Sequence, residues 1–465
     1  MARSRAVDIP SAGKLQSLRE SSAQFWILAV LLLLVFAMGG GSRADIQSLQ
    51  FLRPLAILAA AFGVATIKPE HFRPYWSLFA IFAAAALLVV AHLVPLPPSV
   101  WQALPGRDII SDIDEIAGLQ GAWRPLSMYP EGTWNALYAL SVPAAVLLLG
   151  VQLQEREHLR ILKLVIGLGL VSGLIGVMQA AGQGIQFYRI SSETAGLFAN
   201  RNHQAALLAA LFPMLAALAA VAQREGKSGR ASNLLAGIAM VALVPLIIVT
   251  GSRAGLLVGA IAILCLGYMR FDSPGKRRQN RRSSLVLKLL AALAVVTLLV
   301  IATFVSSRNV AFERFSATSE EVRWPVWTTI VEFLPSYLPW GTGIGSYALV
   351  YQIHELPNLL MRQYSNQAHN DWLEVILIAG LPGAALLVAA VVAFLIGVKR
   401  SFGGRGSKSI MTRAGLVVIL LLAFASVSDY PLRTPILASI FVLAAIWASG
   451  IQQKTKPAGS TSKNA

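Results

Sequence analysis

Apolar runs long enough to cross a bilayer recur from one end of this sequence to the other, and that recurrence leaves few folds open. Inside hydrocarbon every backbone N–H and C=O must find a partner within the protein, so spanning segments are helices or closed barrel strands. Runs of roughly 20 apolar residues fit a helix across a hydrocarbon core of about 30 Å. The chain therefore reads as an all-α polytopic membrane protein with about 12 transmembrane helices. They are expected near 24–40, 51–67, 74–94, 134–152, 160–180, 203–222, 232–250, 254–270, 285–305, 372–398, 414–428 and 434–450. A mean hydropathy of +0.63 with only 13% charged residues excludes a soluble multidomain enzyme.

The domain organisation follows. Residues 1–23 read as a cytoplasmic N-terminal segment, 24–450 as one transmembrane domain, and 451–465 as a disordered polar tail in the cytoplasm. No small-residue cleavage site follows the first apolar run, which is expected to be a retained helix. Cys265 is the single cysteine and lies in an apolar run, so a disulfide within the chain and a thiolate metal site are both excluded.

The net charge of +17 does not mark a nucleic-acid binder, because the cations form no single contiguous basic face. With the N-terminus inside, about two thirds of the 39 lysines and arginines fall on the inner side, as the positive-inside rule requires. The two densest basic loops, Lys276 to Arg282 and Lys399 to Arg413, both face inward in this arrangement. Both ends of the chain are then cytoplasmic. Three outer segments, about 95–133, 181–202 and 306–371, are long or unusual in composition, and long ordered loops point to function.

Five clusters stand in those outer segments or at the helix ends beside them. They are Pro95 to Gly106 with Pro125 to Ser127; Gly196 to His203; Ser252 to Gly255; Arg323 to Trp327 followed by Pro339 to Ser346; and Ala368 to Leu373. Arginine is a planar, permanently charged fork that matches phosphate oxygens, so converging arginines can hold a diphosphate without a metal. Arg201, Arg253 and Arg323 are the candidates, with contact to lipid headgroup phosphates the competing use for any one of them. His369 precedes a helix whose first turn carries Asp371 and Glu374, two acids read as capping residues. A helix N-terminus favours neutral imidazole, which leaves a general-base role open for His369 beside a plain interfacial hydrogen-bonding role; His203 carries the same two readings. Gly341, Gly343 and Gly345 read as tight turns, since no strand precedes them to make a dinucleotide loop. Asp112 and Asp114 read as solvated loop residues. Trp324, Trp327 and Trp340 suit either an interfacial aromatic belt or sugar stacking.

In this order and on these helices, the clusters resemble the O-antigen ligase superfamily of bacterial polysaccharide polymerases, O-antigen ligases and protein O-oligosaccharyltransferases. The resemblance rests on Gly196 to His203, Ser252 to Gly255, Arg323 through Ser346, and His369 to Leu373. It implies a GT-C-like fold with a large periplasmic loop between helices 9 and 10. It also implies metal-independent, cofactor-free, inverting transfer of a glycan at the periplasmic face of the bacterial inner membrane. The donor would be an undecaprenyl-diphosphate-linked glycan and the acceptor lipid A-core or a growing polysaccharide, in lipopolysaccharide O-antigen or exopolysaccharide biosynthesis. Carried over, Arg253 and Arg323 match the family's functional arginines, His369 its functional histidine, and Asn200 and Asn202 its paired asparagines; catalytic roles are expected for His369, Arg323 and Arg253, and substrate binding for Asn200, Asn202, Arg201, His203 and Asn370. The chain has Ile378 where many members carry an acid two residues before a glycine. A multi-helix transporter or lipid-linked oligosaccharide flippase is the alternative with the same topology.

Overall fold

A computed structural model describes residues 21–183, 185–188, 194–224, 229–269, 323–360, 365–402 and 407–450. The expected ninth helix at 285–305, the basic loop Lys276 to Arg282 and most of the N-terminal segment lie outside the described residues, as does the tail.

The described chain is helical almost throughout. Its elements are α1 (Ala23–Met38), α2 (Gln47–Thr66), α3 (Pro69–Ala91), the two-residue strand β1 (Pro95–Leu96), α4 (Pro98–Trp101), α5 (Asp108–Ile116) and β2 (Arg124–Pro125). Then come α6 (Pro130–Gly150), α7 (Glu155–Ala180), α8 (Arg201–Arg224), α9 (Gly229–Val249) and α10 (Arg253–Met269). The last are α11 (Arg323–Phe333), α12 (Tyr347–His354), α13 (Asp371–Ser401), α14 (Ser407–Ala425) and α15 (Pro435–Ala448). Among the described residues, eight helices are long and apolar enough to cross a membrane, and α1, α10 and α15 are shorter apolar helices at three more of the expected positions. This is a multi-pass membrane protein.

The centre of the bundle is α8. Its alanine-rich sequence lets neighbours approach closely, and α7, α9, α10 and α14 all pack on it. The approach to α10 is close: a Cβ on Gly255 would stand 2.2 Å from the Ala205 Cβ, so glycine is what allows that contact. The start of α10, with Ser252 and Arg253, is thereby pressed against the start of α8. A second group, α1, α2, α6 and α15, packs around Leu28, Leu32, Leu52, Val146 and Leu443, all fully buried. By contrast, α3 is largely exposed, which suits a lipid-facing helix.

At one end of the bundle the loops form a polar layer. Antiparallel β1 and β2 pair Pro95 with Pro125 and Leu96 with Arg124, closing the segment that carries α4 and α5. This corrects the reading of Asp114 as a solvated loop residue: its side chain is buried and pairs with Arg124, whose hydrogen bond holds the carboxyl below its ordinary pKa. The glycine-rich stretch after α11 threads between this segment and α13. Gly341, Gly343 and Gly345 all have positive φ, as tight turns demand.

Their partner on α13 is Gly380, where φ is +61° and the helix is interrupted. The Thr342 and Gly343 N–H groups donate to the Leu377 and Ile378 carbonyls at 3.0 and 2.9 Å, and the Leu381 N–H donates to the Pro339 carbonyl at 2.8 Å. The backbone groups lost to the helix are thus recovered by the loop. Helix α13 is therefore two segments, where its apolar pattern reads as one.

Candidate functional site

Four of the sequence clusters meet at the loop-rich end of the bundle, three of them directly on a residue that none of them contains and the fourth through Asn202. Asp429, 2% exposed, lies in the short connection between α14 and α15. Asn200 and Asn202 donate to its Oδ2 from Nδ2 at 3.1 and 2.5 Å. The Tyr430 N–H donates to Oδ1 at 2.9 Å. His203 Nε2 stands 3.5 Å and His369 Nδ1 3.3 Å from the same Oδ1, and an Arg323 terminal nitrogen is 4.0 Å from Oδ2. Burial opposes a charge on Asp429, but the imidazoles of His203 and His369 outweigh it and hold the carboxyl well below its usual range.

Each arm of this cluster is set by local structure. Asn200 accepts the Asn202 N–H at 2.8 Å just ahead of α8, which turns both amides toward Asp429. The Asn202 Oδ1 accepts from the Ser252 hydroxyl at 2.6 Å. Ser252 in turn accepts the Gly255 N–H at 2.8 Å, an N-cap that starts α10 with Arg253 as its first residue. Arg323 opens α11 and donates to the Ser428 carbonyl at 2.8 Å. Tyr430 lies beside both histidines, with ring centroids 5.0 Å from each. Burial, then the Asp429 charge, raises its phenol above the ordinary range.

His369 has φ of +51°, a conformation that costs a non-glycine residue about 1–2 kcal/mol. Such strain marks a backbone fixed by its surroundings. Its Nδ1 is buried against Asp429, while the side chain as a whole keeps 29% exposure. The ring is therefore anchored at one nitrogen and accessible elsewhere. Asn370, one residue on, caps α13 by accepting the Leu373 N–H at 3.1 Å. That corrects one sequence reading: Asn370 is the capping residue of α13, and Asp371 and Glu374 are not caps. Those two acids pair instead with Arg433, at 2.8 and 2.9 Å.

The predicted set is brought together in part. Asn200, Asn202, His203, Arg323 and His369 share Asp429. Arg201 and Arg253 sit at the same end, as the first residues of α8 and α10, the one half-buried and the other exposed. A small cleft beside the cluster is lined by Asn202, His203, Gly255, Val258, Ser428 and Asp429. Among the described residues no group of three or more His, Cys, Asp or Glu side chains is placed to hold a metal ion.

Sequence reasoning missed Asp429, Tyr430 and Arg433. The available signal was weak: a carboxylate and a guanidinium within five residues between two very apolar helices.

Such a site can do two things: present fixed cations to an anionic leaving group, and hold an imidazole against a carboxylate in the manner of a base and its orienting acid. No curated protein matches the chain. Residues 238–388, from α9 into α13 and including Arg253, Arg323 and His369, match the family model described as O-antigen ligase, which supports the resemblance to the O-antigen ligase superfamily.

Proposed function

We propose that this protein is an inverting glycosyltransferase that moves a glycan from an undecaprenyl-diphosphate-linked donor to a lipid A-core or saccharide acceptor at the periplasmic face of the inner membrane. The family match supports a ligase or polymerase role in polysaccharide biosynthesis. The single observation that carries the finer reading is the His369 imidazole, anchored through Nδ1 on the buried Asp429 carboxylate with Arg323 beside it.

In this reading Asp429 fixes the tautomer and direction of His369, whose other nitrogen takes the proton of the acceptor hydroxyl. The freed oxygen forms a bond to the anomeric carbon as the bond from that carbon to the diphosphate oxygen breaks. Charge gathers on the departing diphosphate, and Arg323 and Arg253, with Arg201 assisting, stabilise it more in the transition state than in the ground state. Asn200, Asn202 and His203 hold the carboxylate that holds the base. The basic loops of the sequence support cytoplasmic termini and an outward-facing site, and the apolar helices supply a surface for the polyprenyl chain. A transporter or flippase would concentrate ionisable groups near the membrane midplane, whereas the cluster here lies at helix ends.

The test is transfer by purified protein in lipid, supplied with a lipid-linked glycan and an acceptor. Wild type forms product, and Arg323→Lys, which keeps the charge and loses the fork, is impaired. Wild-type activity in Arg323→Lys would reject bidentate phosphate binding. A gel of surface glycans from a deletion strain separates the two branches: one repeat unit on the acceptor for a polymerase, a bare acceptor for a ligase.

A further inference from the structure

We infer that Trp327 and Glu374 are positioning residues for His369, gripping the backbone of Ala368 at both of its polar groups; the inference rests on His369 being the proton acceptor proposed above. The Ala368 N–H donates to Glu374 Oε2 at 2.7 Å, and the Ala368 carbonyl accepts the Trp327 indole N–H at 2.7 Å. Ala368 is itself fully packed. The two peptide units that flank this residue are therefore fixed just before the chain enters the left-handed conformation of His369.

On the far side of His369, Asn370 caps α13 and the Asp371 N–H donates to the Ser426 carbonyl at 2.9 Å. A positive φ at a bulky residue lasts only where its neighbours over-determine it, and here they do so from both directions.

The grip also sets the register of three chain segments. Trp327 lies one helical turn after Arg323 on α11, so one short helix carries both the guanidinium near Asp429 and the indole that holds the loop of His369. Glu374 reaches Ala368 with one oxygen and pairs with Arg433 through the other at 2.9 Å. Arg433 is four residues beyond Asp429 on the same connection, so the strands of chain that carry base and carboxylate are tied together a few residues from the point where they meet. A partly buried indole seeks an acceptor for its N–H, but packing alone does not require that acceptor to be the carbonyl preceding the strained histidine.

The test is steady-state kinetics of Trp327→Phe in the purified transfer assay. This change keeps the aromatic bulk and removes the donor. The expected result is a fall in kcat of about tenfold, with the donor KM within about twofold and an unchanged melting temperature. In a His369→Ala background the same substitution adds no further loss to the residual rate, because it acts through the missing imidazole. Glu374→Gln, which still offers an oxygen to the Ala368 N–H, keeps more of the rate than Glu374→Ala, and this pair decides the matter if Trp327→Phe does not fold.

Wild-type kcat in Trp327→Phe, a rise in KM alone, or equal rates for Gln and Ala at position 374 would overturn the inference while leaving the catalytic reading intact. Wild-type transfer by His369→Ala would instead remove the reading on which it stands.

Discussion

Arg107 and Arg323 are both held by backbone carbonyls at the loop-rich end of the bundle, yet the first is 2% exposed and the side chain of the second keeps 17%. Arg107 donates to the carbonyls of Pro105, Leu126 and Gly341, at 3.0, 2.7 and 3.1 Å, and so bolts the first loop to the glycine-rich stretch. Burial pulls its pKa down to about 10, which leaves it charged at neutral pH. Around it Thr133, Ser127 and His92 are likewise turned onto backbone or each other. Arg323 has one carbonyl partner, Ser428, and a carboxylate at 4.0 Å that it shares with two histidines. One guanidinium is consumed by the architecture; the other is arranged around a charge at a cleft. The contrast teaches that neither the residue type nor its burial alone marks function, and that what the donors point at does.

The comparison breaks most readily at Asp429. Replacing it with asparagine keeps the shape and removes the negative charge facing His203, His369 and Arg323, so transfer should fall by at least about a hundredfold with the protein still inserted. Initial rates in the purified assay check this, and near wild-type turnover would reduce the cluster to a structural one. Next in size is Arg323→Lys, expected to lose about tenfold in rate, because an ammonium cannot bridge two phosphate oxygens as a fork does. Arg107→Met sharpens the other half of the contrast. It leaves three carbonyls without their donor, so stability should drop by about 2–4 kcal/mol while turnover per folded molecule stays within about twofold.

The smallest effect concerns pH. Burial, then the charge of Arg107, lowers the His92 pKa from its ordinary 6.5 to about 4, and its Nδ1 accepts the Ile344 N–H at 3.1 Å. The unfolded chain therefore binds the proton more readily between those values. The stabilisation is complete above pH 6.5 and is lost progressively as pH falls toward 4. Melting temperatures at pH 7 and pH 5 should differ in wild type, and the difference should shrink in His92→Asn.

Much of this was legible from residue patterns alone. Apolar runs located the long apolar helices among the described residues to within about five residues at nearly every end, but not the short loop helices α4, α5 and α12, and the outer clusters at 196–203, 252–255, 323 and 369 do converge. The turns at Gly341, Gly343 and Gly345 were legible because glycine has few other uses there. Asp429 was not, since one carboxylate in a short turn is what any helical connection contains, and its burial depends on α8 and α13 arriving from distant sequence. Asp371 and Glu374 matched a cap in spacing, but the partner that claims them, Arg433, lies beyond the next helix. The break in α13 was hidden for the same reason: it exists because a loop distant in sequence, Pro339 to Gly343, supplies the hydrogen bonds.

The account stands or falls on the imidazole that faces Asp429, and the most direct measurement is the turnover of His369→Ala at saturating donor, in protein shown to be inserted and folded. A rate reduced by at least about a hundredfold, with donor still bound, is the predicted result. Turnover equal to wild type would contradict it and take His369 out of the chemistry.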